Sequence, residues 1–234
     1  MPAPLRFHWS PAEDPCDAGA LIDLCRRAEA AGVESVELNA PELAVVAASQ
    51  TAALRFRVPY HAAVRIPWDA ATAGRLAIRM KIEPADLARA GRDLGECRDR
   101  FVGSAIHVEG DGAEAAWLAI LHADCLFRKA DRPDQTHADA LPVLHLGKEV
   151  GLAASVIARP SRDKAIHALA DLPGAPDVLA GSFEEVAAML LAYRQRGISH
   201  FLIRGRLGHD DLTAFGSGLL PLLRELERGG AASA

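Results

Sequence analysis

Residues 179–226 read LAGSFEEVAAMLLAYRQRGISHFLIRGRLGHDDLTAFGSGLLPLLREL, and their pattern decides the fold class. Val178-Leu179-Ala180-Gly181 is an apolar run of strand length. Ser182 stops it, and Glu185 stands three residues on, the spacing of a capping box. Apolar residues then recur at helical spacing as far as Gly197, a residue suited to ending a helix. His200 to Ile203 reads as a second strand and Leu212 to Glu227 as a second helix. Strands joined by helix-length crossovers must run parallel, because tight hairpins can join only antiparallel neighbours.

The same alternation extends back to the N-terminus. Leu5 to Trp9 alternates as a strand. From Ala18 to Ala31, Leu21, Leu24, Cys25 and Ala28 share one helical face, and Gly32 ends the helix. Val36 to Leu38 is a short strand, Glu42 to Ala53 a helix, and Leu54 to Tyr60 a strand. Trp68 to Ile82 is rich in Ala and is expected to be helical, although Leu76, Ile78, Met80 and Ile82 alternate with Arg and Lys as a strand would. Pro84 starts a helix reaching about Cys97. Phe101 to Val108 is a strand, Glu109 to Gly112 a turn capped by Asp111, and Ala113 to His122 a helix. Asp124 to Phe127 is a strand, followed by a helix within Pro133 to Lys148 that Pro142 disturbs. Leu152 to Ala158 is a strand, Ser161 caps a helix to Leu169, and a Pro- and Gly-rich passage spans Leu172 to Asp177. The expectation is an α/β fold: one parallel (β/α) TIM-type barrel over residues 1–228, incomplete or with one βα unit reduced near 81–100. Residues 229–234 form a flexible tail. No GxGxxG follows the first strand, which argues against a dinucleotide-binding open sheet.

Half of the 234 residues are hydrophobic, enough for a large core. The formal net charge of -5, with Lys and Arg scattered among acids, argues against a nucleic-acid partner. No apolar run reaches the roughly 20 residues of a membrane span. Nothing at the start reads as a signal peptide. The four cysteines, Cys16, Cys25, Cys97 and Cys125, form no CxxC pair, so free thiols in a reducing cytoplasm are expected.

The order Gly-Ser, Glu-Glu-Val, Tyr, Gly, Phe and Pro-Leu-Leu in 179–226 resembles the closing segment of the luciferase-like flavin-dependent monooxygenases, in their alkanesulfonate-monooxygenase-like branch. AEAAGVESVELN (residues 28–39) resembles their first helix and second strand, and Ile106 to Phe127 their fifth strand, phosphate loop and helix. The resemblance covers most of the chain but is specific over its last fifth. It implies a shortened, diverged relative in which reduced FMN, supplied by a separate flavin reductase, and molecular oxygen act on a small organic substrate. It also implies a homodimer, or a heterodimer with a longer paralogue.

Function in a barrel gathers at the C-terminal ends of strands. His8, His61 and His107 are therefore the candidate catalytic residues. Gly110, Asp111, Gly112 and Arg204 are candidates for the cofactor phosphate, and Asn39, Tyr60 and Arg206 for substrate. The family's hydroxyl-rich phosphate loop is replaced here by Glu109-Gly110-Asp111-Gly112, whose acids oppose a phosphate. The sulfonate enzymes' Arg-x-His falls on Ala153-Ala154-Ser155. Activity is accordingly expected to be weakened or lost. Two other readings stand beside this one. AGVESVELNAP (residues 31–41) also resembles xylose-isomerase-like barrels, in which His8, Glu37, His61, His107 and Glu109 would bind a divalent metal. The missing site residues favour a non-catalytic partner subunit of a longer flavin monooxygenase.

Overall fold

The structure, a computed structural model, describes residues 4–11, 17–170, 178–205 and 209–231. In chain order, β1 (Arg6–Ser10), α1 (Ala18–Ala30), β2 (Ser35–Glu37), α2 (Pro41–Ala48) and β3 (Arg55–Pro59) open the fold. Then come the one-turn helices α3 (Tyr60–Ala63) and α4 (Ala70–Ala73), β4 (Leu76–Lys81), α5 (Leu87–Arg100), β5 (Ala105–Glu109) and α6 (Ala113–His122). They are followed by β6 (Cys125–Lys129), α7 (Pro133–His145), β7 (Glu149–Arg159), α8 (Arg162–Ala170), β8 (Val178–Ser182) and α9 (Phe183–Gln195). The chain closes with β9 (His200–Arg204), α10 (His209–Ala214), a π-helical segment Phe215–Leu219 and α11 (Leu220–Ala231).

All the strands pair in parallel. Strands β1 to β7 follow one another in order, and β9 pairs with both β7 and β1, which closes an eight-stranded barrel. Strand β7 is long enough to do two jobs. Its first half bonds β6 and β9 inside the ring, and Ser155 to Arg159 run on past the rim to pair with β8. A ninth strand therefore rides on the barrel without entering it.

The βα alternation is as expected, with two corrections. Trp68 to Ile82 is not one helix: Leu76 to Lys81 is strand β4. Its even positions Leu76, Ile78 and Met80 are buried, while Ala77 and Arg79 face the other way, and a period of two prevails over alanine content. The unit near residues 81–100 is whole, with a 14-residue helix α5. The shortened unit is the one before it, where the β3–β4 crossover carries only α3 and α4, of four residues each. Smaller shifts concern boundaries. Helix α2 ends at Ala48, the final helix is broken by the π segment, and α11 runs on to Ala231, into the stretch expected to be a tail. The Pro- and Gly-rich passage 172–177 lies outside the described residues.

Outward-facing strand residues and the helices make one large apolar layer, in which Phe7, Val36, Phe56, Val58, Ile78, Ile106, Val108, Leu126 and Val150 meet residues such as Leu21, Leu94, Val186 and Leu190. The interior of the barrel is different. Barrels are usually filled with branched apolar side chains. Here only β6, β7 and β9 supply an apolar inner cluster, Cys125, Phe127, Ala153 and Leu202. Gly151 makes room for it, since a Cβ there would lie 2.6 Å from the Phe127 ring. The rest of the interior is lined by polar and charged residues of β1 to β5 and by His200 of β9.

Candidate functional site at the barrel mouth

The sequence places Arg57 between Phe56 and Val58. Because those two neighbours turn outward to the helices, Arg57 turns inward, where it is fully buried. Its guanidinium donates to Glu37 at the end of β2 and to Glu109 at the end of β5. Its Nε donates to Nδ1 of His107 at 3.2 Å, and its Cζ lies 4.7 Å from the Phe127 ring centroid. Burial opposes the arginine's charge, but Glu109 and Glu37 outweigh it and raise its pKa. Burial alone would likewise raise the Glu109 carboxyl. Arg57 and Arg79, with the hydrogen bond from Arg57, hold it below the usual carboxylate range.

Arg79 of β4 covers this cluster from the mouth. Its Nη1 lies 3.5 Å from Glu37 and 3.9 Å from Glu109, and its Nη2 donates to Asn39 Oδ1 at 2.9 Å. Its Nε is buried without a hydrogen-bond partner. Ser10 donates to Glu37 at 3.1 Å. Arg204, half-buried at the end of β9, also contributes to lowering Glu109. Arginines thus alternate with carboxylates across the C-terminal mouth.

One layer below lie three histidines. His8 Nδ1 is 2.8 Å from Ser35 Oγ, and His8 Nε2 is 2.8 Å from Nδ1 of His200. The rings of His8 and His107 have centroids 5.7 Å apart. Burial, reinforced by neighbouring histidines and by Arg57, holds His8 and His107 well below the ordinary imidazole range, so both are neutral at pH 7.

The structure brings His8 and His107 together in the barrel, with ring centroids 5.7 Å apart, and places them beneath the mouth. His61 does not join them; it is exposed on α3. Asn39 is at the mouth. Tyr60 is buried, with Asp93 and Glu96 of α5 near it; burial first, then those acids, push its hydroxyl up to about 12. Arg206 lies outside the described residues. Gly110 donates its N–H to Phe127 and admits no side chain, since a Cβ would lie 2.8 Å from Ala115 Cβ. Gly112, at φ 95°, is the N-cap of α6. Asp111 is not the cap. Its carboxylate accepts instead from the Lys129 backbone N–H at 3.2 Å and lies 4.0 Å from Arg128.

Asp111 opens onto a cleft of about 560 Å3 at the C-terminal face, lined also by Arg128, Lys129, Ala130, Asp131, Thr136 and Asp139. The cleft reaches the first turns of α7, whose N-cap Arg132 makes no side-chain cap. Thr136 is 2% exposed, and its Oγ1 has no hydrogen-bond partner. A buried hydroxyl left unpaired costs about 1–3 kcal/mol, so it is a place where a ligand can gain affinity. Asp139 is already occupied by Arg128 at 2.9 Å and Gln135 at 2.9 Å.

Among the described residues no group of three His, Cys, Asp or Glu side chains is placed to hold a metal ion. The set expected for one is divided, with Arg57 between Glu37 and Glu109 and His61 on the outer surface. Arg57, Arg79, His200, Ser35, Glu149 and Thr136 were not singled out from the sequence. Arg57 left a trace, a charge in the centre of an apolar strand, whereas Thr136 left none.

No protein-family model matches the chain, and no curated protein matches it. Solved structures share its fold. A long-chain alkane monooxygenase, LadA, superposes with a TM-score of 0.74 at 13% identity, covering 97% of this chain and 92% of that one. A riboflavin lyase, RcaE, solved with modified FMN and riboflavin, gives 0.76 at 11%, covering 96% and 92%. EDTA monooxygenase, EmoA, from Chelativorans sp. BNC1 gives 0.74 at 11%, covering 95% and 94%. The barrel is therefore of the type found in these enzymes, and identities this low speak for the fold alone.

Proposed function

We propose that this chain is a flavin-linked oxidoreductase-type barrel that takes FMN weakly at its C-terminal face. The observation that carries the reading is the cleft beside Gly110 to Gly112, with an unpartnered buried hydroxyl at Thr136, on a fold shared with two monooxygenases and with a riboflavin lyase solved with modified FMN. The residues fit the polar end of such a cofactor in kind. The N-terminus of α6 offers backbone amides and roughly half a positive charge. Thr136, Arg128 and Lys129 add donors, and Arg204 stands across the mouth. When bound, reduced FMN would supply the electrons with which molecular oxygen is added to a small organic substrate. The protein's share is to bind, orient and exclude water. Arg79, Asn39 and Arg204 meet the substrate at the rim, and His107 is a positioning residue that holds Arg57 beneath them.

Electrostatics keep the affinity low. Asp111, Asp131 and Asp139 line the same cleft as Arg128 and Lys129. Two unit charges 4 Å apart repel by about 4 kcal/mol at an intermediate dielectric and about 1 kcal/mol in water. Asp111 is half exposed, so the smaller figure applies, a several-fold loss. Titration by flavin fluorescence tests this. Asp111→Ser tightens FMN binding several-fold and Arg204→Ala loosens it. Tight wild-type binding that Asp111→Ser leaves unchanged moves the phosphate elsewhere.

A second reading has its own observation in favour. Arg57, Glu37, Glu109 and Arg79 fill the space beneath the mouth, as suits a subunit that stabilises a longer flavin enzyme without turning over. Absence of flavin binding in both oxidised and reduced forms selects this reading.

A further inference from the structure

Three side chains lie at the end of the barrel opposite the mouth. Glu149, His200 and Arg6 begin β7, β9 and β1, and so mark the N-terminal face. His200 Nε2 lies 2.9 Å from Glu149 Oε2, and Arg6 Nη1 lies 3.4 Å from the same oxygen. His200 continues through its Nδ1 to His8, and His8 to Ser35, at 2.8 Å each. The chain Glu149–His200–His8–Ser35 thus joins a carboxylate that is 36% exposed to a serine that is 1% exposed, through imidazoles at 2% and 1%.

We propose that these four residues form a proton relay, through which the barrel interior exchanges a proton with solvent at the N-terminal face. The carboxylate sets the polarity of every bond. An ionised Glu149 only accepts, so His200 carries its proton on Nε2. In the resting relay that proton is the only one on the His200 ring, so His200 accepts at Nδ1, which places the His8 proton on Nε2. His8 accepts at Nδ1 from the Ser35 hydroxyl. Both imidazoles are therefore Nε2–H tautomers.

The transfer balances. A water or acid in the barrel gives a proton to Ser35 Oγ while the original Ser35 proton passes to His8 Nδ1. The His8 Nε2 proton passes to His200 Nδ1. One proton has entered, and it rests as a His200 imidazolium beside the Glu149 carboxylate, from which water can take it. His200 is the holding site because the carboxylate touches it. His8 is faced instead by His107, Arg57 and Arg6 as well as His200, all of which oppose a charge on it, as does its burial. The bond to His200 in turn holds the Glu149 carboxyl below its usual range. The inference does not depend on whether flavin binds.

Nitrogen-15 NMR of the histidine side chains tests it. In the wild type, His8 and His200 are expected as Nε2–H tautomers, with a coupling across the hydrogen bond between His8 Nε2 and His200 Nδ1. This measurement needs no variant, and a wild-type Nδ1–H His8 would overturn the proposal. Glu149→Gln replaces the acceptor-only carboxylate that sets the polarity with an amide that can donate as well as accept. It should admit the Nδ1–H form of His8, two hydrogen bonds away, and slow exchange of the His8 ring proton with water at least about 100-fold, the low end of what a placed acid–base group contributes. The tautomer change follows from bond polarity alone, so the slowed exchange is what separates a relay from a merely structural chain. Unchanged exchange of the His8 ring proton in folded Glu149→Gln would overturn the relay, whatever the tautomer. Ser35→Ala, which leaves Glu149 in place, should keep both histidines as Nε2–H while blocking transfer into the interior.

Discussion

A buried guanidinium costs several kcal/mol unless its charge and donors are met, and Arg57 meets two carboxylates, an imidazole and the face of a ring. The converse sets the prediction. Arg57→Met leaves Glu37 and Glu109 facing each other in the barrel with Arg79 and Arg204 as the remaining arginines that act on Glu109, and breaking a buried pair from one side costs about 3–5 kcal/mol. Urea unfolding should show that loss at pH 7 and a smaller one at pH 4, where the abandoned carboxyls can take up protons. An equal loss at both pH values would mean that Arg57 acts by packing alone. At this scale the sequence showed the polar residues inside apolar strands, His8, His107, Glu37 and Glu109, but not their partners. A charge in a strand has one of two faces to occupy, and which residues it meets there depends on strands 20 to 52 positions away.

The C-terminal helices show what an element owes to its neighbours. Helix α9 begins with both halves of a capping box, Ser182 with the Glu185 backbone and Glu185 with the Ser182 backbone, as their three-residue spacing predicts. That feature is local and therefore legible. The π segment Phe215–Leu219 is not. It lies where Gly216 presses on Ala31 at the end of α1 and Gly218 on the Phe183 ring that opens α9; a Cβ on Gly218 would lie 2.3 Å from that ring. Gly218→Ala is expected to destabilise by about 1–3 kcal/mol through overpacking. Gly229→Ala in α11, where a Cβ meets nothing within 4 Å, should stabilise by about 0.4–1 kcal/mol by restricting the unfolded chain. Thermal unfolding of the two variants should shift in opposite directions, and shifts of one sign would refute the account of the π segment. Strand β4 repeats the lesson. Its alternation was present in the sequence, but alanine-rich flanks favoured a helix, and only the seat between β3 and β5 made the strand.

For the whole molecule, the neutral histidines of the interior couple folding to pH. His8 and His107 have folded pKa values well below the unfolded value of about 6.5, so below that pH the unfolded chain binds protons that the folded chain refuses. Stability is full above about pH 6.5 and falls as pH drops, by about 1.4 kcal/mol per pH unit for each histidine. A second loss begins below about pH 4.3, where the depressed Glu109 carboxyl stays ionised in the fold after its unfolded counterpart has been protonated. Urea midpoints between pH 8 and 5 should trace the first decline, and His8→Asn should make it shallower; a flat profile there would contradict neutral burial. The sequence by itself determined the βα rhythm, the capped start of α9, the parallel strands and hence the barrel, because these follow from periods and caps within a few residues. Tertiary structure alone decided that the shortened crossover lies between β3 and β4, that β8 stays outside the ring, and that the barrel is filled by an arginine–carboxylate cluster over a histidine chain. Those outcomes depend on closure, which sets side chains from strands far apart in sequence within hydrogen-bonding distance, and no local pattern records which of them will meet.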